Sequence, residues 1–163
     1  MPTNPAFRQR IEAQGFCGLD DATLDEIGPW LRWSPVLCTL VMITGVLLAS
    51  PPVLWTLGGI AVAGALLPFH PFDLVYNHGV RHLTGTRALP RHGPQRRFAC
   101  GLAAVWLVAT GWAFHAGALL VGYLLGGALI LVAGLVSTTN ICIPSMIYNK
   151  VLRSRNVGAP RTQ

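Results

Sequence analysis

From Trp33 to Phe72, and again from Phe98 to Asn149, the chain carries no Asp, Glu, Lys or Arg: first 40 consecutive residues, then 52. One membrane crossing takes about 20 apolar residues. Each span has room for two, so the pattern predicts an all-α integral membrane protein with four transmembrane helices in two tandem hairpins. Of the 163 residues only 11% are charged, against about 25% in soluble domains. Too few polar side chains remain to cover a water-facing surface.

Turn chemistry divides each span. Ser50-Pro51-Pro52 breaks the first, because proline is tolerated in a first helical turn but not inside a helix, and Ser50 is a suitable cap. His115-Ala116-Gly117 is the corresponding turn in the second. The predicted helices run over about 35–50, 52–69, 98–114 and 118–138, within a membrane domain of 35–150. Gly122 and Gly126 form a GxxxG pair suited to close helix packing.

The charges orient the hairpins. All 12 basic residues precede the first helix, lie between the second and third, or follow the fourth, and neither hairpin tip carries any. Lys and Arg are retained on the cytoplasmic side during insertion. The prediction is therefore a membrane protein with both termini and the central loop cytoplasmic. The net charge of +6 becomes a one-sided membrane property, and with no separate basic domain, nucleic acid is not an expected partner.

Residues 1–34 read as a cytoplasmic, interfacial segment. Its first 30 residues lack the apolar core of a secretory signal and carry Glu12, Asp20, Asp21, Asp25 and Glu26. Thr23 and Glu26 have capping-box spacing. Trp30 and Trp33 sit where an aromatic belt would meet lipid headgroups. Residues 71–97 read as an amphipathic surface helix ending near Gly85, followed by a basic loop in which Arg87, Arg91, Arg96 and Arg97 are candidates for contact with anionic lipid or an acidic partner. A similar helix is expected from Pro144, and 151–163 form a basic tail.

The two halves end alike: "PFHPFDLVYN" at 68–77 and "NICIPSMIYN" at 140–149 set His70 on Cys142. "SPVLCTL" at 34–40 and "RRFACGL" at 96–102 each place a cysteine, Cys38 or Cys100, in the first turns of a hairpin. An internal repeat of hairpin plus surface helix is the expected origin. The two apolar hairpins, "QRRFACGLA", "AGALLVGYLLGG" and the cysteine motif after the fourth helix resemble the bacterial membrane-protein family named domain of unknown function 4395, over about residues 35–150. The resemblance implies four membrane helices and supplies no activity. Many members of that family carry a Cys-x-x-Cys-like motif where this chain has Cys142-Ile143-Pro144-Ser145, which removes the second thiol of a dithiol pair.

Several side chains are candidates for chemistry. Cys38 and Cys100 begin helices, and His70 and Cys142 end helices, at one predicted depth; three thiols and an imidazole there would suit zinc or another soft metal, although the spacings match no compact metal signature. The competing reading is that the cysteines are small buried hydrophobes. Cys142, ahead of Pro144 and near Lys150 and Arg153, is a candidate reactive thiol, with Ser145 positioned to donate to it. His78 and His82, four apart, form a weaker metal pair that lacks the glutamate of the zinc-protease motif. No catalytic triad, phosphate loop or dinucleotide fingerprint is present, and no firm cofactor follows. No intramembrane carboxylate supports ion-coupled transport. The leading expectation is a non-enzymatic accessory or scaffolding subunit that contacts lipid and other membrane subunits. The alternatives are a thiol- or metal-dependent membrane protein acting at Cys142, and a small-solute channel or carrier.

Overall fold

The computed structural model describes residues 4–153. The basic tail expected over 151–163 therefore lies largely outside the described residues, Arg155 and Arg161 included. Among the described residues the fold is all-helical: α1 (Pro5–Ala13), α2 (Asp21–Ile27), a 3₁₀ turn (Trp30–Arg32), α3 (Trp33–Leu47), α4 (Pro51–Leu66), α5 (Pro71–Val75), a π turn (Tyr76–Val80), α6 (Arg81–Thr84), α7 (Pro94–His115), α8 (Leu119–Thr139) and α9 (Ile143–Arg153).

Prolines mark the starts. Pro5, Pro51, Pro71 and Pro94 occupy first-turn positions, where a missing N–H leaves no gap in the helical ladder. Ser50 stands at the cap of α4 but makes no side-chain cap bond. In α2 the capping residue is Asp20, which accepts from the Thr23 N–H at 3.2 Å; the expected Thr23–Glu26 box does not form, because Glu26 instead takes the Arg87 N–H at 2.8 Å. Gly117, at φ +75°, turns the chain between α7 and α8.

Four long helices pack in a ring, α3 on α4, α4 on α7, α7 on α8 and α8 on α3. Their core joins Met42 and Val46 to Leu54, Leu57, Ala61, Ala104, Leu107, Phe114 and Leu129. The glycines of the GxxxG pair admit neighbours from two different helices: a Cβ on Gly122 would meet the Phe114 ring at 2.5 Å, and one on Gly126 would meet Val46 at 2.6 Å. Outward faces keep Leu47, Leu66, Val105, Leu124 and Leu131 exposed. Three helical stretches are long and apolar enough to cross a membrane, Trp30–Leu47, Pro94–His115 and Leu119–Thr139; Pro51–Leu66 together with Pro71–Thr84 makes a fourth, bent by 80°.

A second core covers one end of these helices. Ile11, Phe16, Leu24, Ile27 and Leu31 pack with Tyr76 and Leu89, so the segment before residue 34 is a folded cap on the 71–92 region. Trp30 and Trp33, expected in an aromatic belt, lean on the Tyr76 ring at 5.1 and 6.1 Å. The cap is tied to the long helices by Arg10, which donates to the Thr139 carbonyl at 3.1 Å, and by Gln14, which donates to the Asn140 carbonyl at 2.8 Å. The loop expected over 71–97 shortens, because α7 starts at Pro94, four residues before the predicted boundary.

Candidate thiol-lined cavity beneath a polar cap

The bend after α4 brings His70 over the helix ends. His70 caps α5, its Nδ1 accepting the Phe72 N–H at 3.3 Å. The ring proton is thus left on Nε2, which lies 3.8 Å from the Cys38 sulfur. Gly64 makes this seat: a Cβ there would come within 2.6 Å of the His70 ring and 3.4 Å of the Cys100 sulfur.

Beside His70 lies a buried charged group. Asp73 accepts from His92 Nε2 at 2.5 Å, and Arg96, 7% exposed, reaches Asp73 at 4.0 Å while donating to Ser34 Oγ at 2.6 Å. Phe16 of the cap closes over both partners, under the Arg96 guanidinium at 5.2 Å and edge-on to His92 at 6.1 Å. Burial alone would raise the Asp73 carboxyl, but the His92 hydrogen bond and the Arg96 charge hold it below the usual carboxylate range. Burial and Arg96 lower His92 against the opposing pull of Asp73. Burial, with Arg96, pushes His70 down to about 4. At neutral pH both imidazoles are therefore uncharged, and the Asp73 and Arg96 charges balance. His92 Nδ1 is left as a buried acceptor with no hydrogen-bond partner among the described residues.

Below this group the four long helices enclose a cavity of about 170 Å³. Cys38, His70, Cys100 and Cys142 all line it, together with Gln14, Ser34 and Arg96 at its polar end and Met42, Leu57, Trp106 and Leu129 in its apolar depth. The four residues expected at one depth thus line one cavity. They form no metal cage: no three His, Cys, Asp or Glu side chains form a group that could hold an ion among the described residues. All four cysteines of the chain are free thiols.

Other expected sites fall elsewhere. Cys142 is buried and its carbonyl opens α9 by accepting the Met146 N–H at 3.1 Å. Ser145, expected to donate to its sulfur, is fully buried and its Oγ has no hydrogen-bond partner among the described residues; its place inside the first turn of α9 directs it into packing instead. Lys150 is exposed, and the side chain of Arg153 lies outside the described residues. His78 and His82 sit on the exposed face of the π turn and α6, where His78 bonds its own Leu74 carbonyl at 2.9 Å and His82 accepts from Arg81 at 3.4 Å.

The four arginines expected to face lipid divide. Arg87 pairs with Glu26 at 3.1 Å, and Arg91 stands over the Phe69 ring at 5.9 Å. Arg97 closes the end of α4, donating to the Ala65 and Leu66 carbonyls at 2.8 and 2.7 Å. Arg96 is a correction: it is buried against Asp73 and Ser34 and points away from any lipid surface, because the first turn of α7 turns its side chain inward beneath Phe16.

Asp73, His92 and Phe16 were not legible as site residues in the sequence, since nothing in their spacing joins them. A family model described as Domain of unknown function (DUF4395) matches residues 28–153. No curated protein and no solved structure matches the chain. The matched region contains every thiol that lines the cavity, whereas Gln14 and Phe16 lie outside it.

Proposed function

We propose, for this chain, which belongs to the DUF4395 family, the role of a thiol-dependent membrane protein that holds a small, largely apolar molecule against its cysteines. Its crossings are Trp33–Leu47, Pro51–Leu66, Pro94–His115 and Leu119–Thr139, and the cap faces the cytoplasm of a bacterial inner membrane. The observation that carries the reading is the convergence of Cys38, Cys100, Cys142 and His70 on one cavity. Thiols that served only as core filling would sit against packed side chains. These line open space, and one has an imidazole nitrogen 3.8 Å away. Rather than a single reactive Cys142, Cys38, with its histidine neighbour, is the thiol placed for engagement.

The test is alkylation of nanodisc-embedded protein by a membrane-permeant maleimide, read cysteine by cysteine by mass spectrometry. Cys38 and Cys100 should react, and filling the cavity with Ala103→Phe should slow both at least tenfold while leaving the exposed Cys17 unchanged. Equal rates in the filled variant, or reaction of Cys17 alone, would remove the proposal. An accessory subunit needs no interior cavity, and inert thiols combined with a stable co-purifying partner would favour that role.

A further inference from the structure

The cavity has a size, a charge balance and an opening, and together they define its occupant. An engineered apolar cavity of about 150 Å³ admits benzene; one of about 170 Å³ admits a single six-membered ring and little more. The polar end offers hydrogen-bond donors. Ser34 takes one N–H of Arg96, a guanidinium with five, and His70 presents Nε2–H because its Nδ1 is engaged by the Phe72 amide. Both side chains line the cavity.

Charge narrows the head further. Arg96 already has Asp73 at 4.0 Å, so a carboxylate or phosphate head would leave one negative charge uncompensated in a buried site, where an unpaired charge is disfavoured. A cation would meet Arg96 directly. The head that fits is an uncharged acceptor.

Access comes from the side. Of the residues that line the cavity, Leu102 of α7 is the most exposed, at 41%, and Val132 and Val136 of α8 are partly exposed, as are Pro35 of α3 and Pro144 of α9. An opening between α7 and α8 would face hydrocarbon in the membrane-embedded chain. The occupant therefore arrives from the bilayer and carries an apolar tail that can remain there.

We infer that the cavity binds a membrane quinone: an uncharged ring with carbonyl acceptors, seated against Arg96 and His70 beside the thiols, its tail leaving between α7 and α8. This deepens the reading of the cavity as a small-molecule site and rests on it.

The probe is a ring-azido, decyl-substituted benzoquinone, photolysed with the full chain in nanodiscs and mapped by mass spectrometry. Adducts are expected on cavity residues such as Cys100, Ala103, Trp106 and Val132, to be competed by the non-azido parent and not by oleate. Arg96→Gln should reduce them about tenfold. Because Arg96 also holds Asp73, Ala103→Phe serves as a second variant that should abolish them by filling the ring's place. Adducts confined to outward residues such as Val105 and Leu131, competition by oleate equal to that by the parent quinone, or adducts unchanged in Ala103→Phe would each overturn the assignment. Maleimide labelling of the same samples separates the failures: reactive cavity thiols without quinone adducts would sink the quinone and leave the thiol site standing.

Discussion

His70 joins the backbone to the cavity, since one ring nitrogen caps α5 and the other faces the Cys38 sulfur. Burial, with the Arg96 charge nearby, makes its protonation costly. Its value in the folded chain is about 4 against an ordinary 6.5, so above pH 6.5 neither state binds the proton and nothing is lost. As pH falls from about 6.5 toward 4 the unfolded chain takes up the proton first, and the native state loses stability. His92, lowered in the same direction, adds to the loss, whereas Asp73 contributes only below its ordinary value of 3.8. At pH 5 the His70 share is about 2 kcal/mol, or several degrees of melting temperature. His70→Asn keeps an N-cap acceptor and removes the titration. Its unfolding temperature in detergent should fall less between pH 7.5 and 5 than that of the unchanged protein; an identical pH slope would show that His70 is not held neutral by burial.

At the scale of elements, the long helices were legible because charge is missing from their apolar stretches, and a helix satisfies its backbone groups within its own segment without water. The cap was not. Phe16, Gln14 and Leu24 are scattered among polar residues that resemble an exposed surface segment, and it takes the 80° bend after α4 to bring Tyr76 and Leu89 into position beneath them. Arg96 and Arg97 show the same limit. Adjacent basic residues look like one topogenic signal, yet the first turn of α7 sends one inward to Asp73 and the other outward to the α4 carbonyls. The cysteine layer was legible in part, because helix starts and ends on one side of a membrane must share a depth; the Asp73–His92 pair, formed across 19 residues by a loop, left no pattern. If the cap seals the cavity, Phe16→Ala should remove the ring over Arg96 and His92, cost on the order of 3 kcal/mol in stability, and raise labelling of Cys100 by a water-soluble maleimide. Unaltered labelling with normal stability would mean that Phe16 covers a surface the cavity does not use.

For the molecule as a whole, the two ends of the helix ring differ in kind. Arg10, Arg32, Arg96 and Arg97 gather where α4 and α8 finish and α3 and α7 begin, and the folded cap lies over them. The opposite end is made of the two hairpin turns, where Trp55 stacks near Trp112 and His115 at 5.8 and 5.5 Å and the Phe114 and Tyr123 rings meet at 5.2 Å. Such a ring cluster suits the headgroup level. Basic residues at one end and an aromatic cluster at the other are the asymmetry on which the proposed orientation, with the cap inside, rests. Cys17 reports on this without any engineered tag, being an exposed thiol on the cap. A membrane-impermeant maleimide should label Cys17 in inside-out vesicles and leave it unmodified in right-side-out ones until detergent is added. Labelling from the outer face would invert the molecule, and it would place the cap and the Asp73–His92–Arg96 group beneath it on the side of the opposite compartment.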